Sequence, residues 1–279
     1  MKVSVLILCI SVCGWCARAQ YYYYDILANL ANQKNYTLLQ QEKIKKVTVN
    51  AFGNDGEVID DFILYQEIDP SKKTITTFSK SNQSDASILQ TFFNESNKPS
   101  LVIDSSAGAT TRTRFIYGPN GLLESMQSQS IQLEQKENVV NEERKYTYNQ
   151  NGAPDTMVRI IGATDTMLVR FTLAENGLPG EEQWFKAGKK IENWFYYYDG
   201  EGNLTDIVRY NAAAGQLLPD YLFGYDALGN MTQKVTVMPD TKTFRIWQFA
   251  YNEKGLKTEE KVLNRQRQQE GRLVFLYKN

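Results

Sequence analysis

No histidine occurs in the 279 residues. That removes the commonest general base, the usual zinc ligand and every Ser-His or Cys-His nucleophile arrangement, so catalysis would have to rest on carboxylates. Cysteine is confined to Cys9, Cys13 and Cys16. Once those residues are cut away the chain has no thiol, no disulfide and no cysteine ligand for a metal, and its stability comes from packing alone. Charge of one sign is not concentrated anywhere: 31 Lys and Arg stand against 32 Asp and Glu, dispersed along the chain. This gives no electrostatic basis for binding nucleic acid or anionic lipid. Long apolar runs are also missing, and the run at residues 5–12 is far short of the roughly 20 residues that span a bilayer.

That short run follows Lys2 and precedes Ala17, Arg18 and Ala19, the small-x-small pattern read by a signal peptidase. Residues 1–19 are therefore expected to be a signal peptide cleaved after Ala19, with Gln20 as the mature N-terminus. Lipid attachment at Cys13 or Cys16 is the alternative, but Val12 and Trp15 precede them where a bacterial lipobox has a small residue. Cleavage takes Lys2 and Arg18 and no acid, so the net charge moves from −1 to −3, an ordinary solubility charge.

What the chain does have is a repeat. A bulky residue, any residue, a second bulky residue, three residues and a glycine recur as Phe115, Tyr117, Gly121; Tyr146, Tyr148, Gly152; Phe171, Leu173, Gly177; Tyr196, Tyr198, Gly202; Phe223, Tyr225, Gly229; and Phe249, Tyr251, Gly255. Phe275 and Tyr277 begin a seventh unit that the chain end cuts short. Residues i and i+2 of a strand share a face, so the bulky pairs form one buried stripe. Each glycine supplies the positive φ of a hairpin loop. Return strands follow, with Val158 and Ile160, Val208 and Tyr210, and Val235 and Val237 alternating in the same way. Second turns fall at 186–189, 211–215 and Pro239-Asp240. Pro154, Pro179, Pro219 and Pro239 recur too often for long helices. The expectation is an all-β antiparallel meander of two-stranded units of about 26 residues, forming an extended or curved sheet.

Residues 195–204 and 222–231, with Tyr198-Asp199 and Tyr225-Asp226 at the same place in each, resemble the tyrosine-aspartate (YD) repeat of the Rhs-like proteins. The resemblance covers about 165 residues, with Asn149, Ala174 and Asn252 replacing the aspartate in other units. It implies a long β-sheet spiral that in large members forms a shell around a toxic cargo. Six complete units are too few to enclose a protein, and no toxin-like domain follows the array.

Ahead of the 110–279 array, residues 20–109 read as a helix and strand segment continuous with degenerate repeats. Ile26, Leu27, Leu30 and Ala31 stand at helical spacing, which predicts a short helix. The run Tyr21 to Tyr24 reads as a frayed terminus or a strand. Strands are expected over 44–52, 58–68 and 74–78, with loops at 53–56 and 69–71; Phe52 and Gly56 suggest a degenerate unit. Residues 79–87 and 94–100 read as polar breaks, 134–144 as a charged insertion, and 105–109 as a soft boundary.

Three adjacent acid pairs are present: Asp60-Asp61, Glu181-Glu182 and Glu259-Glu260. Strand neighbours point to opposite faces, so none is by itself an acid and base on one surface, and each reads as solvated strand charge. Asp199 and Asp226 read as turn caps. The glycines lack the helix and lysine of a phosphate loop. Phe195 and Tyr197 fall opposite the aromatic stripe and are the candidates for an exposed contact. The expected function is an exported, non-catalytic scaffold or binding module acting in the periplasm, at the cell surface or outside the cell, with a protein or glycan of the envelope as partner. No cofactor, metal, nucleic acid or integral membrane span is expected. The rivals are a carboxylate-dependent glycan hydrolase and a small partner of a secretion or toxin system.

Overall fold

A computed structural model describes residues 21–82, 84–106, 108–132, 139–162, 164–212, 214–238 and 243–279. The expected leader and cleavage site, residues 134–138 of the expected charged insertion and the expected Pro239-Asp240 turn lie outside the described residues. Among these residues one helix, α1 (Tyr23–Gln41), precedes eighteen strands. The N-terminal third contributes β1 (Lys46–Phe52), β2 (Ile63–Asp69), β3 (Thr74–Ser81), β4 (Ser84–Phe93) and β5 (Pro99–Ser106). The array contributes β6 (Ala109–Tyr117), β7 (Leu123–Gln132), β8 (Val139–Tyr148), β9 (Pro154–Ile161), β10 (Asp165–Leu173), β11 (Pro179–Lys186), β12 (Lys189–Tyr198) and β13 (Leu204–Asn211). It ends with β14 (Gln216–Tyr225), β15 (Met231–Met238), β16 (Thr243–Tyr251), β17 (Lys257–Leu263) and β18 (Gln269–Lys278).

Each strand runs antiparallel to its chain neighbours, and β18 pairs with β1 from Lys46↔Lys278 to Phe52↔Arg272 while β1 also pairs with β2. The sheet is therefore a closed barrel, which corrects the expected extended or curved sheet. The cause is the N-terminal third: residues 79–81 and 84–87 of a stretch that reads as a polar break are in β3 and β4, so the meander is long enough to return to its start. Neighbouring strands twist by roughly 20–25° and open sheets rarely exceed about ten strands without curling, so eighteen close and lose their edges.

The repeat has a local cause that is visible at each hairpin. In the loop after β12 the amide of Asp199 donates to the carbonyl of Asn203 and Gly202 donates back to Asp199, at 3.0 and 3.1 Å. Asp199 Oδ1 caps the amides of Glu201 and Asn203, and Asp226 repeats this on Leu228 and Asn230. Glycine at φ near +80° closes the turn. The same backbone pattern occurs at Asn94 to Lys98, with Asn97 in the glycine position, and at Asn264 to Gln268, with Arg267 there. These units are invisible to a search for glycine. The loop after Phe52 has the pattern too, but at the opposite end of the barrel.

A β-bulge precedes the final bulky residue of β6, β8, β10, β12, β14 and β16. It re-aims that side chain. The hydroxyls of Tyr117, Tyr148, Tyr198, Tyr225, Tyr251 and Tyr277 each donate to the carbonyl of the first residue of the preceding strand, namely Pro99, Leu123, Pro179, Leu204, Met231 and Lys257, at 2.6–2.9 Å. Burial pushes the phenols of Tyr117, Tyr225, Tyr251 and Tyr277 up to about 12, so they remain donors at neutral pH. Leu173 has no hydroxyl to offer and is 37% exposed.

The bulky stripe faces the barrel interior. On the return strands the inward residues are Met157 and Arg159, Ile207 and Arg209, and Lys234 and Thr236, because these stand opposite the stripe in register. Val158, Val208 and Val235 consequently face outward, and the alternation read from them marks the outer wall.

Candidate functional site

Helix α1 starts without a side-chain cap of its own; the barrel wall supplies one. Glu182 on β11 stands between Phe171 and Trp194 in the inward register. It accepts the amides of Tyr22 and Tyr23 at 2.7 and 2.8 Å, and Trp184 Nε1 and the Tyr196 hydroxyl at 2.6 Å each. A carboxylate at a helix N-terminus satisfies free N–H groups and opposes the positive end of the dipole. Glu182 is 0% exposed, and burial pushes its carboxyl above the ordinary range against the pull of those four donors. The expectation of solvated charge is corrected for this residue. Glu181 faces the other way, bonding Gln183 and Asn193 outside.

Tyr21, Tyr22 and Tyr23 are buried, not frayed, and Tyr21 packs against Trp194, Tyr196 and Tyr221 at 5.7–5.8 Å. One turn on, Asp25 receives both oxygens' bonds from Arg144 Nη1 at 2.8 and 2.7 Å, and a further bond from the Tyr146 hydroxyl. Arg144 Nε also bonds Glu142 at 2.6 Å, and Arg159 joins from β9 at 3.1 Å. Burial raises the Glu142 carboxyl, but Arg144 and Arg159 together hold it below its usual 4.5. Farther along, Asn29 bonds the Tyr117 hydroxyl, Gln33 bonds the Ser96 carbonyl, and Tyr36 stacks on Phe93 at 3.8 Å. Glu42 pairs with Lys254. A 19-residue helix is about 28 Å long. It crosses the barrel mouth that carries the Asp/Asn-Gly hairpins, from the β8, β11 and β12 wall to the β4 and β16–β17 side.

Beyond the helix the lumenal wall of β12–β18 is aromatic and charged. Arg209 bonds Asp220 in two places at 2.7 and 2.8 Å, reaches Glu192 at 3.2 Å, and lies over the Trp194 ring. Arg245 pairs with Glu270 at 3.3 Å and Lys257 with Glu260 at 2.6 Å. The side chains of Arg209, Glu192, Arg245 and Glu270 are about a quarter to a third exposed, so water reaches them. Lys234 stands between the half-buried rings of Tyr221 and Trp247, at 5.5 and 5.8 Å from their centroids.

Phe195 and Tyr197 lie on the outer wall, opposite Val208 and Asp206; Phe195 is half-buried and Tyr197 is 47% exposed. They share no surface with the lumenal set. A separate outer groove of about 590 Å³ is lined by Asp165, Leu168, Arg170, Phe185 and Lys186. Asp60 and Asp61 are in the β1–β2 loop, and Glu259 faces outward while Glu260 faces in. Asp104, inward on β5, keeps one buried oxygen without a partner, and burial raises its carboxyl. Among the described residues no group of three His, Cys, Asp or Glu is placed to hold a metal, and no helix is long and apolar enough to cross a membrane. Sequence reasoning missed Asp25, Arg144, Glu182, Lys234 and Trp247. The available signal was parity: each of the four on strands falls in register with the inward stripe.

No protein-family model matches the sequence, and no curated protein matches it. Among solved structures, TcdB2-TccC3-TEV aligns at 12% identity and a TM-score of 0.33, over 77% of this chain and 12% of that one. A porin-like protein from Bacteroides uniformis ATCC 8492 aligns at 10% identity and 0.39, over 84% and 98%. A putative exported protein with a YmcC-like fold from Bacteroides fragilis NCTC 9343 aligns at 9% and 0.23, over 84% and 95%. The chain thus spans a small fraction of the TcdB2-TccC3-TEV chain and nearly the whole of the two Bacteroides proteins.

Proposed function

We propose that this chain is an exported, non-catalytic binding barrel of the cell envelope that takes its ligand, a glycan or glycan fragment, into the lumen through the mouth opposite α1. The observation that carries this reading is the division of the interior. One mouth is filled by a helix latched at Glu182 and Asp25, whereas the wall beyond it presents partly exposed rings and charges. Export is supported by the leader pattern of residues 1–19. An aqueous exterior is supported by Arg112 and Arg114 on β6 and Lys145 on β8, exposed on the outer wall on either side of β7. Charges there would each cost about 2–4 kcal/mol in a lipid-facing band. We place the array with the YD repeats on the Tyr198-Asp199 and Tyr225-Asp226 hairpins, in a form closed on itself and stoppered by its own helix where large members enclose cargo.

The hydrolase rival needs two free carboxyls facing one cleft. Asp25, Glu142, Glu182, Glu192, Asp220, Glu260 and Glu270 are each held by cations or N–H and O–H donors, which among the described inward carboxyls leaves Asp104. The test is to incubate purified mature protein with envelope glycan digests. Saturable binding with the glycan recovered unchanged is expected. New reducing ends, lost in Asp104→Asn, would replace this reading by the hydrolase.

A further inference from the structure

We infer that the lumenal wall of β14, β15 and β16 binds a small organic carboxylate with one apolar face, a uronic acid or an aromatic acid. Lys234 supplies the cation, and Tyr221 and Trp247 supply the ring platforms. This rests on the lumen being the binding face. Lys234 is opposite Phe223 on one side and Trp247 on the other, with its ammonium held between two rings. Neighbouring lumenal cations have carboxylate partners: Arg209 has Asp220, Arg245 has Glu270 and Lys257 has Glu260. Among the described residues no carboxylate lies within salt-bridge distance of Lys234. Glu260 acts on it only from β17, and is itself bound to Lys257 at 2.6 Å. A cation taken largely out of water without a counter-ion is costly, and a ligand anion removes that cost.

The rings define the rest of the ligand. Tyr221 and Phe223 lie parallel at 8°, with centroids 6.2 Å apart, and extend one flat surface. Tyr221 meets Tyr21 edge-on at 5.7 Å, so the entry to α1 forms the floor. Thr236, opposite both Tyr221 and Arg245, adds a hydroxyl. A single unpaired ammonium with ring faces suits a carboxylate carried on a pyranose or an arene. Phosphate favours clustered donors, and the β15 backbone is engaged in ladders on both sides.

Trp184 and Trp194 are buried while Trp247 is partly exposed, so tryptophan emission reports this site. The mature protein is titrated with sodium glucuronate and sodium benzoate, with glucose and inorganic phosphate as controls. At least one carboxylate should change the emission saturably and bind at least tenfold more tightly than glucose or phosphate; which of the two does so identifies the ligand source. Lys234→Met should weaken that binding at least tenfold with an unchanged or higher urea midpoint, because it removes a desolvated charge. Trp247→Leu should abolish the emission change. Failure of both carboxylates, or phosphate binding as tightly, overturns the inference. Equal carboxylate binding by Lys234→Met overturns this site while leaving a lumenal ligand standing, whereas chemical conversion of the bound acid would overturn the non-catalytic reading.

Discussion

Tyrosine and phenylalanine are not equivalent at the second bulky position of the repeat, because only the phenol reaches the first carbonyl of the preceding strand. Tyr225→Phe should cost about 1 kcal/mol, the net worth of one hydrogen bond, and Tyr225→Ala about 3–5 kcal/mol as a large-to-small change. Leu173→Tyr, in the unit that lacks the bond, should stabilise by about 0.5–1.5 kcal/mol. Thr172→Ala, exposed on the outer face, should leave the urea midpoint unchanged; if it matched Tyr225→Ala, the face assignment would be wrong. Glu142 carries a pH prediction. Its folded pKa lies below 4.5, so its contribution is present above 4.5 and is lost as pH falls through the folded value. Glu142→Gln should therefore flatten the acid limb of the stability curve below pH 4.5 while lowering stability at neutral pH. The stripe itself was legible from sequence because strand parity is local. The burial of Glu182 was not, since the amides it accepts are 160 and 159 residues away.

At the level of elements, α1 was legible in place but not in face. Helical spacing marked Ile26, Leu27, Leu30 and Ala31, yet Leu30 is 54% exposed while Asp25 and Asn29 are buried. The buried face is mixed: Tyr23, Tyr36 and Leu39 share it with Asp25 and Asn29, which meet the hydrogen-bonding groups of Arg144, Tyr146 and Tyr117. An apolar-moment argument places such a helix but not its buried face, because the matching polar groups lie on distant strands. The hairpins were legible where glycine occupies the left-handed position and illegible where Asn97 or Arg267 does. Seating also predicts where α1 is vulnerable. Glu182→Ala strands two amides, an indole and a phenol, and should cost about 3–5 kcal/mol. Glu181→Ala, one residue away on the outer face, should stay within about 0.5 kcal/mol. Urea unfolding followed by tryptophan emission compares them, and similar midpoints would show that Glu182 does not hold the helix.

For the whole molecule, the repeat period implied a meander and left its closure open, because closure depends on strand number and on β1–β5, which lack the glycine spacing. The last half-unit illustrates the consequence. The last strand is the closing edge of the array: Leu273, Val274, Phe275, Leu276, Tyr277 and Lys278 pair with β1, while Leu273 and Val274 also pair with β17. Leu273 and Phe275 belong to the apolar cluster with Val47, Val49, Leu64 and the helix residue Leu39, and the Tyr277 hydroxyl ties β18 to the start of β17. Deleting residues 273–279 therefore removes the closing ladder, opens two strand edges and exposes part of that cluster at once. Open apolar edges pair with other chains. The truncated protein should elute as larger species than the parent or aggregate, measured by size-exclusion chromatography with light scattering, whereas Tyr277→Phe should elute as the parent does with stability lowered by about 1 kcal/mol. A truncated chain that elutes as the parent does, with its tryptophan emission and unfolding midpoint intact, would mean that the β1–β18 ladder is dispensable and that the barrel is held shut by the helix alone.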